Sequence, residues 1–176
     1  MARIKVSTLG YTQPMEKALS RTLLVLYLVV LTWLVLFKFS FHASAIASLH
    51  ARSLNLIPLA ASGGMGEIFD NCLFFIPFGL LLSLNFKRVA LKRKLVAILL
   101  FSLAAEIIQY LFAIGASDIT DVITNTLGGL LGLTLYDLGR RGGNDKKLDK
   151  AIISTGFVLL LVFFAGVTRV LLHHRR

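Results

Sequence analysis

Long, mainly apolar runs about as long as a bilayer is thick constrain this chain more than any other feature. The first, "TLLVLYLVVLTWLVLFKFSF", covers Thr22 to Phe41, and further runs occupy about 68–84, 94–114, 118–138 and 151–172. A helix that crosses a bilayer takes roughly 20 residues, so a chain of 176 has room for about five with short links. Apolar residues make up 56% of the chain and charged residues 16%, which leaves too little polar surface for an ordinary water-soluble domain. The expected fold is therefore all-α: a polytopic membrane bundle of about five transmembrane helices with short connections.

A net charge of +10 would suit nucleic acid, but its distribution points elsewhere. Arg3, Lys5, Lys17 and Arg21 form one patch, and Lys87, Arg88, Lys92, Arg93 and Lys94 a second. Arg140, Arg141, Lys146, Lys147 and Lys150 form the third. No Lys or Arg lies from Ser53 to Phe86 or from Leu95 to Gly139. Basic clusters between long apolar runs mark the cytoplasmic side, so the N-terminus is expected inside, with membrane lipids and not nucleic acid as the surroundings. Residues 1–21 then read as a cytoplasmic arm and 22–138 as the main transmembrane domain. Residues 139–150 read as a flexible basic linker, and 151–176 as an additional helix with an outer tail.

"ASA" at Ala43 to Ala45 resembles a signal-peptidase site. The apolar run before it is longer than the roughly 7–15 residues of a signal peptide, so it reads as a retained span. Residues 42–66 form an outer connection in which Pro58 and a glycine-rich tail resist continuous helix, while 43–54 suit a short interfacial helix. The lone cysteine, Cys72, excludes an intramolecular disulfide.

Against this background the polar residues of "EIIQYLFAIGASDITDVITNTLGG" are conspicuous. A carboxylate near a bilayer centre costs roughly 3 kcal/mol or more, and such residues usually have a task. The link between the third and fourth runs is short and centred near Gly115 and Ala116, which predicts an antiparallel hairpin. Residues equidistant from that turn should share a depth, pairing Glu106 with Asn125 and bringing Gln109 level with Asp121 or Val122. At 1.5 Å per residue, the Glu106 level falls roughly 10–15 Å below the outer surface. Ser102, Glu106 and Gln109 share one helical face, as do Asp118, Asp121, Asn125, Gly128 and Gly132. With Asn71 near the outer end of the second run, Glu106, Gln109, Asp118, Asp121 and Asn125 make a candidate polar pocket open to the outside.

Each of these residues also has a structural reading. Gln109 and Asn125 suit interhelical hydrogen bonds. Asp118 suits helix capping, and Asp121 suits the helix dipole. Gly128 and Gly132 suit close helix packing, and Pro77 and Gly79 a local kink. Arg52 and Asn55 could form a lid over the pocket or anchor the outer loop to headgroups. The carboxylates would suit Mg²⁺ or Ca²⁺ if they converged, but no His or Cys stands at zinc-like spacing, and neither metal nor cofactor is expected.

Four pieces in order resemble the VanZ-like family of bacterial integral membrane proteins, over about 23–138. "RSLNLIP" (Arg52 to Pro58) resembles its Arg-x-x-Asn-Leu-x-Pro segment, and "NCLFFIPFGLLL" (Asn71 to Leu82) its Asn-x-x-x-Phe-x-Pro-x-Gly span. "SLAAEIIQ" (Ser102 to Gln109) resembles its Ser-x-x-x-Glu-x-x-Gln helix, and "DITDVITNTLGGLLG" (Asp118 to Gly132) its Asp-x-x-Asp-x-x-x-Asn-x-x-Gly-Gly pattern. This chain has "GAS" at Gly115 to Ser117, where the family often carries a basic residue before the acidic pair.

The resemblance implies a multi-pass protein of the bacterial cytoplasmic membrane, associated with resistance to the glycopeptide teicoplanin. Together with the polar stripe, it points to a protein that binds or modifies an envelope lipid or an amphiphilic antibiotic. Two other classes stay open. One is an intramembrane enzyme in which Glu106 and Asp121 divide acid and base roles, although Ser102 has no His or Lys within helical reach. The other is an ion- or proton-coupled transporter, for which five unrepeated spans would call for a homo-oligomer.

Overall fold

The computed structural model describes residues 9–37, 53–55, 57–58, 64–113 and 116–173. The apolar runs are helices: α1 (Leu9–Phe37), α2 (Met65–Asn85), α3 (Leu91–Phe112), α4 (Ile119–Arg141) and α5 (Asp145–His173). The segments Pro14–Leu36, Met65–Asn85, Leu91–Phe112 and Asp145–Val170 are long and apolar enough to cross a membrane, and the fold is a membrane helical bundle.

The remaining helix, α4, falls short of that apolarity for a reason its packing makes plain. Ile123, Leu127, Leu131, Leu135 and Leu138 form a stripe on its outer surface. Asp121, Asn125, Gly128 and Gly132 form the opposite, buried stripe. Its amphipathic pattern is thus inverted relative to a soluble helix, with the polar face inward. The threonines add polarity without needing other helices: Thr124, Thr126 and Thr134 donate to the carbonyls of Thr120, Val122 and Leu130 at 2.7–3.0 Å.

The most extensive helix pairing is α2 against α4. Glycine makes that approach feasible. A Cβ on Gly79 would lie 3.0 Å from Gly132 Cα and 2.8 Å from Leu133 N, and one on Gly128 would run into the Cys72 carbonyl. Backbones this close gain dispersion contacts that any side chain would abolish. Gly79, Gly128 and Gly132 are therefore packing positions, and α2 continues as helix through Pro77. Next to this seam, the Phe75, Phe78 and Phe101 rings pack with centroids 5.2–6.1 Å apart. The peripheral α5 rests mainly on α1, where Gly156 meets Leu23 and the Trp33 and Phe163 rings stand edge to face at 6.1 Å.

Several sequence expectations change. Helix α1 begins at Leu9, within the stretch expected as an arm, and includes Pro14. The linker expected at 139–150 is mostly helical, with only 142–144 between α4 and α5. Gly143 takes φ +87° there, and Asn144 accepts from the Lys147 N–H at 3.1 Å to start α5. The expected interfacial helix lies outside the described residues over 43–52, and its last two residues, Ser53 and Leu54, are extended. They begin β1 (Ser53–Asn55), which pairs in parallel with β2 (Ala116–Asp118), Asn55 beside Asp118. Two three-residue strands leave the helical class intact.

Candidate functional site

The two ends of the bundle differ in chemistry. Lys17, Arg21, Lys87, Arg88 and Lys146 gather at one end, and the β1–β2 pair with Glu106, Asp118 and Asp121 occupies the other, the acidic end.

The acidic end is built where α3 stops. Ala113 closes α3 in the left-handed conformation, φ +52°, a position that a β-carbon tolerates poorly. Ala116 to Asp118 run back beside α3 as the extended β2. An extended residue advances about 3.3 Å and a helical one 1.5 Å, so three strand residues retrace roughly six or seven of α3. Accordingly the Asp118 N–H donates to Glu106 Oε2 at 2.9 Å, and Ser117 Oγ donates to the Glu106 carbonyl at 2.8 Å.

Asp118 starts α4. Its Oδ1 accepts from the Thr120 N–H at 2.8 Å, a helix cap, and its Oδ2 accepts from Asn55 Nδ2 at 3.1 Å. Asn55 in turn accepts from the Ile57 N–H at 3.2 Å, shaping the bend before Pro58. One residue of the 42–66 connection is thereby tied to the first turn of α4. Arg52, read with it as a lid or a headgroup anchor, lies outside the described residues. Asp121 follows in the first turn of α4, near the positive end of the helix dipole, and accepts from Asn71 Nδ2 at 2.8 Å.

The expected pairing of Glu106 with Asn125 gives way to an offset one. Asn125 Nδ2 donates to Ser102 Oγ at 2.9 Å, one helical turn further along α3 from the acidic end, while Glu106 meets the start of α4. The backtracking strand accounts for the difference. Gln109 also departs from expectation: it is fully buried and donates to the Val35 carbonyl of α1 at 3.0 Å, not to α4. Asn71, Glu106, Asp118, Asp121 and Asn125 thus take part in three separate ties among α2, α3 and α4, and Gln109 ties α3 to α1. Sequence reasoning passed over Ser117 and Thr120, both buried; their proximity to the acid pair was their one signal.

A groove of about 190 Å³ opens beside this cluster, between α3 and α4. Leu103, Ile107, Tyr110 and Leu111 form its α3 wall, and Ile119 and Val122 its α4 wall. Glu106, Ser117 and Asp118 also border it but are buried, so the accessible surface is hydrocarbon with carboxylates directly behind. Such a site presents an apolar slot on its open side and hydrogen-bonding oxygen at its back.

Two comparisons with known proteins follow the same residues. The profile of the VanZ/LLP1 family matches residues 24–140. Protein VanZ of Enterococcus faecium is 51% identical over 160 residues, which cover 91% of this chain and 99% of that protein. No solved structure shows significant similarity. The matched region takes in α2, α3, both strands and nearly all of α4, the elements that build the acidic end, and the chain belongs to the VanZ/LLP1 family.

Proposed function

We propose that this protein acts at the outer face of the bacterial cytoplasmic membrane, where its acidic end binds an amphiphile: an envelope lipid or a lipid-bearing glycopeptide antibiotic. The observation that carries the reading is the groove between α3 and α4, apolar where it opens and backed by the Glu106 and Asp118 carboxyl groups. Hydrocarbon of the ligand would lie along Leu103, Ile107 and Leu111. A cationic or hydrogen-bonding group would turn inward towards Glu106. Burial supports the pairing, because a hydrogen bond to a carboxylate strengthens as water is excluded.

The orientation rests on charge. Basic clusters flank the opposite end of the bundle, and Lys and Arg prefer the cytoplasmic side. That bias supports an outward acidic end and a cytoplasmic N-terminus. Family membership supports a role in glycopeptide resistance, the association that the four sequence pieces brought with them.

The test is resistance itself. Glu106→Gln and Asp118→Asn keep shape and remove charge, so each variant would be expressed in a teicoplanin-sensitive host and its membrane level measured by immunoblot. Both should lower the inhibitory concentration towards that of the empty host at undiminished protein level. Full resistance in both variants would overturn the proposal.

A further inference from the structure

At the end opposite the acidic cluster, α1, the α2–α3 turn and the start of α5 enclose a cleft of about 670 Å³. Its floor is fixed by side chains. Ser20 Oγ lies 3.0 Å from Asn85 Oδ1, and Asn85 Nδ2 donates back to the Ser20 carbonyl at 3.2 Å and to the Leu81 carbonyl at 2.9 Å. This reciprocal tie joins α1 to α2 at the lining of the cleft.

The charges around that floor do not balance. Glu16, Asp145 and Asp149 are the acids of the cleft, and each is already engaged. Lys150 pairs with Glu16 at 3.4 Å, and Arg140 pairs with Asp145 at 3.0 Å. Lys87 pairs with Asp149, which also accepts from the Tyr136 hydroxyl at 2.8 Å. Of the cations that line the cleft, Lys17, Arg21, Arg88 and Lys146 have no ion pair among the described residues. They come from three separate stretches of sequence, so folding alone gathers them. Scattered basic residues at a membrane surface need no such concavity.

We infer that this cleft is a binding site for a multiply charged phosphate group. Four uncompensated cations suit a phosphomonoester or diphosphate, because guanidinium groups match phosphate oxygens in paired hydrogen bonds and ammonium groups add point charge. The group could belong to an anionic lipid headgroup or to a soluble phosphate compound. The site is independent of the amphiphile site at the other end.

Two probes separate the sources. The full-length protein is placed in nanodiscs of phosphatidylcholine and titrated with inorganic pyrophosphate. In parallel, retention of phosphatidic acid on the detergent-purified protein is measured by native mass spectrometry. The comparison sets Arg21→Gln/Arg88→Gln against Lys92→Gln/Arg141→Gln, which removes equal charge from exposed positions that do not line the cleft. The cleft pair should weaken at least one probe roughly thirtyfold, the scale for removing two basic residues from contact with anionic phosphate, and the control pair less than about threefold. Loss confined to phosphatidic acid identifies a lipid headgroup, and loss confined to pyrophosphate a soluble ligand. Equal losses in the two pairs, or no binding of either probe, would overturn the inference.

Discussion

Asn71 Nδ2 donates to Asp121 Oδ1 at 2.8 Å, and this single bond joins α2 to α4 beside the acidic end. It lies on the same seam as the Gly79–Gly132 contact, so one interface combines a directional polar tie with backbone-to-backbone packing. Asn71→Leu should therefore destabilise the protein by about 1–3 kcal/mol, since a carboxylate would lose a donor in a place that water reaches poorly. Combined with Asp121→Asn in a double-mutant cycle, the coupling should reach at least about 0.5 kcal/mol. Thermal unfolding in detergent reads both quantities, and strict additivity would show that the bond contributes nothing.

The glycine seam makes a sharper demand. Gly132→Ala would drive a methyl group into the Ile76 carbonyl and the Leu80 N–H of α2, where backbone and not a flexible side chain must yield. Its cost should exceed about 2 kcal/mol, in the range of overpacked cores. Gly66→Ala meets nothing within 4 Å and should be neutral or stabilising by up to about 1 kcal/mol. Fluorescence-detected size-exclusion profiles after heating would separate the two.

Asp118 is expected to act first as a cap. Asp118→Ala removes the acceptor for the Thr120 N–H and should lower stability by about 0.5–2 kcal/mol, whereas Asp118→Asn keeps that geometry and should lose less. Hydrogen exchange over the first turn of α4 is the direct readout. Faster exchange in the alanine variant alone is the expected pattern, and equal exchange in both would contradict it.

Gln109 gives a test of location. Its Nε2 reaches the Val35 carbonyl of α1, while its Oε1 is buried with no hydrogen-bond partner among the described residues. Gln109→Leu removes a weak tie and an unsatisfied acceptor together, so stability should change by less than about 1 kcal/mol. Because this residue faces α1, resistance should also persist. Loss of resistance at normal stability and membrane level would return Gln109 to the ligand site.

The inverted pattern of α4 is partly legible in the sequence. Asp118, Asp121, Asn125, Gly128 and Gly132 fall on one face by helical spacing alone, and the remaining face is Leu and Ile. Which α3 residue meets Asn125 was not legible. Assuming a tight turn puts Glu106 opposite, but residues 116–118 are extended and shift the contact to Ser102. Three-residue strands carry no hydropathy period, and β1 lies more than fifty residues from β2, so nothing local announces the pair. The basic cleft was invisible for a related reason. Its cations were read as three loop patches, and only the bundle brings Arg21 and Arg88 to one concavity.

The order of residues by itself determined where the long apolar helices run among the described residues, though not where α1 and α5 start, and which end of the bundle is basic and which acidic. Those properties follow from apolar length and charge spacing, which act within one segment at a time. The tertiary structure alone decided partners: Asn71 with Asp121, Asn125 with Ser102, Gln109 with α1, Asn55 with Asp118. Partner choice depends on the axial offset between neighbouring helices. That offset is set by how far the connecting residues travel and by where glycine lets two backbones close, and both are properties of segments in contact.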